Sequence, residues 1–231
     1  MTRAPAQAGR RVGRDTPALV TRRVLDLLCQ FGSVAASWVA LCSASVNLTA
    51  CGAPPPTRYY ELVSPAVQAA VPTVAVLTVQ EFTADGAYDR ERIAYRPTPY
   101  RLDYYYYHRW PSEPGRLVAD YVRGACVRSG RFAAVRADVT QATTAVLTGR
   151  VMRFEEFDQR PQRWLADLEL QLELSSPSDD RLLWSRHFRE RVPLEQRSPE
   201  GLAMGLSVAL ERVTRAAVPV IAAKAAANAG R

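Results

Sequence analysis

The chain has 231 residues, is 48% hydrophobic and 23% charged, and carries a formal net charge of +7. That composition excludes a disordered or fibrous chain and is long enough for one well-buried core. The charge does not argue for nucleic acid: residues 1–50 hold six arginines against two aspartates, so the remainder keeps only +3.

Arg22 and Arg23 open a largely apolar stretch from Val24 to Ala44, the charged-then-apolar order of an export signal. Its end is Leu48-Thr49-Ala50-Cys51: an aliphatic residue, two small residues, then a cysteine. A signal peptidase needs small side chains beside the scissile bond, and only a thiol accepts a diacylglycerol. Cys51 is therefore the expected lipidation site and mature N-terminus, with residues 1–50 a cleaved lipoprotein-type signal. Cys29 and Cys42 each follow a leucine too bulky for that role. The competing reading is a transmembrane anchor of sufficient length; the small pair before Cys51 favours cleavage. Thr21-Arg22-Arg23-Val24-Leu25 is also similar to a twin-arginine signal.

Residues 51–57, with Pro54-Pro55-Pro56, read as a stiff lipidated tether. A single domain over 58–231 follows. Arg58–Val63 reads as a short strand, and Thr73–Gln80 as a central one, apolar on both faces. Asp85-Gly86 marks a turn. Arg92–Arg96 and Tyr100–Tyr107 read as strands joined through Pro97-Thr98-Pro99. Pro114 starts a helix whose stripe of Val118, Tyr121, Val122 and Ala125 ends at Ser129-Gly130. Cys126 lies on that stripe and reads as a buried structural thiol. With Cys51 acylated it has no disulfide partner.

Phe132–Val135 and Ala145–Phe154 follow as strands. From Trp164 to Leu174 apolar residues alternate with Asp167, Glu169, Gln171 and Glu173, the pattern of a strand with one wet face. Ser175–Asp180 turns the chain into a partner strand with Leu182, Trp184 and Phe188, giving a hairpin. Ser198-Pro199-Glu200 is a strong helix start, and Pro219 is expected to bend or end that helix. Two helices and about seven strands predict an α+β fold, a mainly antiparallel sheet with both helices on one face.

Catalytic constellations are missing from this pattern. His108 and His187 have no ligand-spaced companions, so no metal site is expected; no G-x-S-x-G elbow or phosphate-binding glycine loop occurs, and no cofactor is implied. Glu155, Glu156 and Asp158 read as a solvated loop beyond a strand end. The unusual feature is aromatic: Tyr95 and Tyr100, then Tyr104-Tyr105-Tyr106-Tyr107-His108-Arg109-Trp110. On a strand this run puts two tyrosines on each face. One pair is core and the other is available at an interface, the parity being open, as is an all-core reading. Single-stranded nucleic acid also uses such residues, but an export signal argues against it.

Arg92-Ile93-Ala94-Tyr95-Arg96, Pro99-Tyr100-Arg101-Leu102, the tyrosine run with Arg109-Trp110, and a helix ending in Gly130-Arg131-Phe132 together resemble the ABC-type transport auxiliary lipoproteins. Thr57-Arg58-Tyr59-Tyr60 soon after the cysteine is similar to their mature start. The resemblance spans about Cys51 to Val220. It implies a non-enzymatic, lipid-anchored periplasmic adaptor for a mammalian-cell-entry-domain protein, its permease and its ATPase, in envelope lipid transport. Tyr95, Arg96, Tyr107, Arg109 and Trp110 match the family motif as fold-defining or docking positions, and Tyr104, Tyr105 and Tyr106 join them as docking candidates. Gly52 lacks the acidic character of inner-membrane retention, which favours the outer membrane. Homo-oligomerisation stays open. The alternatives are a structural envelope tether and a divergent lipoprotein hydrolase.

Overall fold

The structure, a computed structural model, describes residues 53–65, 71–159 and 163–230. The signal and Cys51 lie outside the described residues. The chain separates into two compact units after Pro54, and the described strands and helices belong to the second, Pro55–Arg231.

Its elements in order are β1 (Arg58–Tyr59), β2 (Val76–Val79), β3 (Thr83–Ala84), β4 (Arg92–Thr98), β5 (Arg101–Arg109), α1 (Pro114–Arg128), β6 (Ala134–Arg136), β7 (Ala145–Gln159), β8 (Arg163–Ser175), β9 (Leu182–Pro193) and α2 (Pro199–Ala229). All nine strands join one sheet around β7. One edge of β7 pairs with β8 along its whole length, and β8 with β9, both antiparallel. The other edge takes β2, β3 and β4 in succession, all parallel. β6 lies beyond β2, and β5 then β1 lie beyond β4.

The expectation of a mainly antiparallel sheet is therefore corrected: among the described residues five pairings are parallel and only β4–β5, β7–β8 and β8–β9 are antiparallel. The physical reason is the crossover. Only adjacent strands joined by a tight turn are forced antiparallel, whereas a connection carrying a helix returns the chain parallel. The path from β2 to β6 and from β2, β3 and β4 to β7 runs through α1, whereas β1 and β5 are made parallel by the intervening strands β2 to β4.

The core lies between the sheet and the two helices. Ala166, Leu168, Leu170, Leu172 and Leu174 of β8 are fully buried beneath α2, which contributes Leu202, Leu206, Leu210 and Ile221. The Tyr121 hydroxyl of α1 donates to the Ser207 carbonyl of α2, joining the helices. Cys126 is completely buried, and burial pushes its thiol up to about 12, the profile of an inert structural cysteine.

Helix ends follow from local chemistry. The Ser198 hydroxyl accepts the Gly201 N–H at 3.0 Å, with Pro199 opening α2 and Glu200 in the first turn. Gly130, with φ 62°, adopts the left-handed conformation that ends α1. Pro219 does not end α2, which runs on to Ala229. Its ring is exposed, and Ile221, Ala222 and Ala225 beyond it are buried, while the Asn228 amide donates to the Thr144 carbonyl at 2.9 Å. Tertiary packing outweighs the one lost helix bond.

Candidate functional site

β7 is longer than its alternation predicts. Parallel pairing with β4 sets Ala94, Tyr95 and Arg96 beside Glu155, Glu156 and Phe157, so the carboxylates expected in a solvated loop are inside a strand. Glu155 is fully buried and Glu156 nearly so. Buried carboxylates need partners, and neighbouring strand positions point these two to opposite faces.

On the face away from the helices, Glu155 accepts from Arg96 Nε at 2.7 Å, from the Tyr88 hydroxyl at 2.7 Å and from Arg153 Nη1 at 3.4 Å. Tyr88, within the 85–91 loop, is itself buried. Burial first, then the charge of Glu155, raises the Tyr88 hydroxyl well above its ordinary value, while the bond to Glu155 raises the Arg96 guanidinium. On the helix face, Glu156 accepts from the Tyr105 hydroxyl at 2.9 Å, with Arg197 Nε at 3.5 Å. Burial holds the Glu156 carboxyl above its usual range, against the lowering pull of Tyr105 and Arg197.

These bonds settle the tyrosine run. Tyr104 points to the open face and donates to the Ala87 carbonyl at 2.8 Å, with Arg90 4.8 Å over its ring. Tyr105 points to the helix face, its ring 4.7 Å from Tyr95. Tyr106 is 68% exposed, lies under Arg92 and meets the half-buried Tyr107 edge-on at 4.7 Å. Tyr100, in the β4–β5 turn, is 98% exposed. Trp110 is completely buried and T-shaped against Phe154, so it packs the core. Arg109 is half-buried, 3.5 Å from Glu91. The Tyr60 hydroxyl and His108 Nδ1 share a hydrogen bond of 2.8 Å, which ties the segment after the tether to β5. That segment also leaves an open groove of about 810 Å³ against α2, with Tyr59, Val63, Met204 and Val208 along it.

The network around Glu155, Glu156, Tyr88 and Arg197 was not legible as a site in the sequence, because its members are scattered over more than 100 positions. A second set was equally hidden. On the open face Arg153 donates to Glu169, and Arg189 and Arg191 converge on Asp167. The alternating acids of β8 facing the arginines of β9 were its only sequence signal. Among the described residues no group of three histidine, cysteine or acidic side chains is arranged to hold a metal, and no helix is long and apolar enough to cross a membrane.

A family model, the ABC-type transport auxiliary lipoprotein component, matches residues 60–218. Among solved structures, the chain is similar to protein XCC0632 from Xanthomonas campestris, a DUF330 protein: 26% identity over 76% of this chain and 100% of that one, with a TM-score of 0.68. An uncharacterized protein shares the fold at 11% identity, over 72% of this chain and 99% of that one, with a TM-score of 0.60. No curated protein matches the sequence. The match begins at Tyr60, spans both clamped carboxylates and ends inside α2, so this chain belongs to the family of ABC-type transport auxiliary lipoprotein components.

Proposed function

We propose that this protein is a lipid-anchored periplasmic docking subunit of an envelope lipid transporter, attached through Cys51 and engaging a mammalian-cell-entry-domain protein served by its permease and ATPase. Membership of the auxiliary lipoprotein family supports a transport role without catalysis of its own. The observation that carries the docking reading is the β4–β5 hairpin, whose two strands are clamped to buried Glu155 and Glu156 while Tyr100 and Tyr106 stand in solvent. Tyrosine and arginine dominate interface hot spots, where truncation costs about 2 kcal/mol or more.

The test is co-purification from membranes. Tyr106→Ser with Tyr100→Ser should weaken capture of the entry-domain protein at least tenfold, a loss of about 1.4 kcal/mol, with an unchanged melting temperature. Tyr105→Ser should instead destabilise the fold. Undiminished capture by the Tyr100/Tyr106 variant would refute this docking face. Anchoring is tested separately: Cys51→Ser should abolish acyl labelling and leave uncleaved precursor. Density fractionation of the native lipoprotein should recover it with the outer membrane; an inner-membrane fraction refutes that destination.

A further inference from the structure

At the opposite edge of the sheet from β1 lies β9, twelve residues long and paired, among the described residues, with β8 alone. Such an edge offers a row of unpaired backbone groups. Its parity is fixed by the Leu194 N–H, which donates to the Trp164 carbonyl at 2.9 Å. Bonded pairs alternate along an antiparallel ladder. Trp184, Arg186, Phe188, Glu190 and Val192 therefore direct their backbone groups to β8, whereas Ser185, His187, Arg189 and Arg191 direct theirs outward.

The side chains of those outward residues share the open face with Asp167, Glu169 and Gln171. Charge is layered there. The Asp167 side chain is 1% exposed and that of Glu169 14%, while those of Arg189, Arg191 and His187 are 39%, 42% and 47% exposed. The acids hold the two guanidiniums and the imidazole from below: Asp167 Oδ2 lies 3.1 Å from both guanidiniums, and His187 Nε2 is 3.0 Å from Glu169. What β9 shows to solvent on this face is N–H donors in fixed positions at every second residue. An arginine has five donors, and these two direct only part of them at Asp167.

We propose that the outer edge of β9 receives an extended acidic segment of a partner protein, added as a further strand with carboxylates at alternate positions opposite His187, Arg189 and Arg191. The inner neighbour shows the chemistry: β8 already meets β9 with acids and leucines in alternation, and an added strand meets the same rows from the other side. A second copy of β9 does not fit, because the strand holds three arginines against one glutamate, and like charges directly opposite are destabilising. Residues 1–50 do not fit either, with six arginines against two aspartates. Edge arginines also discourage self-pairing, so the same residues repel the wrong strand and select an acidic one. This inference does not depend on the tyrosine face and stands or falls separately from it.

The probe is a fluorescein-labelled peptide with the sequence of residues 164–175. It is compared with a twin in which the three acids become amides and with a scrambled peptide of equal charge, each titrated into the full-length protein. The acidic peptide should bind about tenfold tighter than either control, with the advantage shrinking in 1 M salt, where screening lengths fall to about 3 Å. Amide hydrogen exchange should show new protection at Ser185, His187, Arg189 and Arg191. His187→Pro removes an outward N–H without touching the β8 ladder and should abolish binding; Ser185→Pro is the second variant, and exchange on the unaltered protein decides if neither folds. Equal affinity for the scrambled peptide, protection away from β9, or full binding by a folded proline variant overturns the proposal.

Discussion

Replacing Arg96 by methionine isolates what the guanidinium does for Glu155, because methionine keeps most of the aliphatic stem. Glu155 has no solvent access, and Arg96 Nε lies 2.7 Å from it, with the Arg96 side chain only 16% exposed. Breaking a buried ion pair from one side costs about 3–5 kcal/mol, since the other charge is left without compensation. Arg153, 3.4 Å away on the same oxygen, and the Tyr88 hydroxyl remain, which places the cost near the lower figure. With a urea dependence of about 2 kcal/mol/M, a loss of about 3 kcal/mol lowers the unfolding midpoint by roughly 1.5 M. The companion Arg96→Met/Glu155→Leu removes both charges and should recover most of the loss. Tyr88, then without its acceptor, should withhold about 1 kcal/mol. A single-variant cost under about 1 kcal/mol, or a double variant as unstable as the two singles added together, would refute the clamp.

One buried carboxylate and one exposed proline give two further predictions. Burial raises the Glu156 carboxyl, so the folded state holds that proton more tightly than the unfolded chain. Its contribution is full below the unfolded value and is lost as pH rises through the raised folded value. Glu156→Gln should therefore gain stability relative to the native protein as pH rises above about 4.3, the ordinary glutamate value, read as the difference in urea midpoints; a constant or shrinking difference contradicts it. Pro219→Ala restores a helix bond at an exposed position of α2 and should raise stability by about 1 kcal/mol or more; a lower melting temperature would show that the helix path depends on the proline.

Local signals were legible and long-range ones were not. The proline and serine at the start of α2, the glycine after α1 and the leucine alternation of β8 each act within a few residues, and each appears where the sequence puts it. The course of α2 past Pro219 depends on Thr144, more than 70 residues away, and no local rule reaches that far. The parallel pairings arise the same way: β2, β3 and β4 are separate in sequence yet share one edge of β7. A carboxylate pair before Gln159-Arg160-Pro161 looks solvated until β4 is laid beside it. The tyrosine run hid its parity because identical residues carry no alternation, and only the partners of Tyr104 and Tyr105 distinguish the faces.

The partners of this hairpin also bear on the docking proposed for it. Adjacent Glu155 and Glu156 reach opposite sides of the sheet, one holding Arg96 of β4 and the other Tyr105 of β5. A hairpin held on one face alone can still twist about that contact; one held on both faces has its orientation fixed. Tyr106, the next residue after the Tyr105 clamp, is thereby presented on a rigid mount, and rigid aromatic groups lose little conformational entropy on binding. Weakening the mount should therefore reduce partner capture, although the Arg96 side chain is only 16% exposed. Arg96→Met is expected to lower capture together with the melting temperature, whereas Tyr106→Ser lowers capture alone. If Arg96→Met captures the partner normally at a temperature where it remains folded, the clamp serves stability only and the hairpin's orientation has no part in docking.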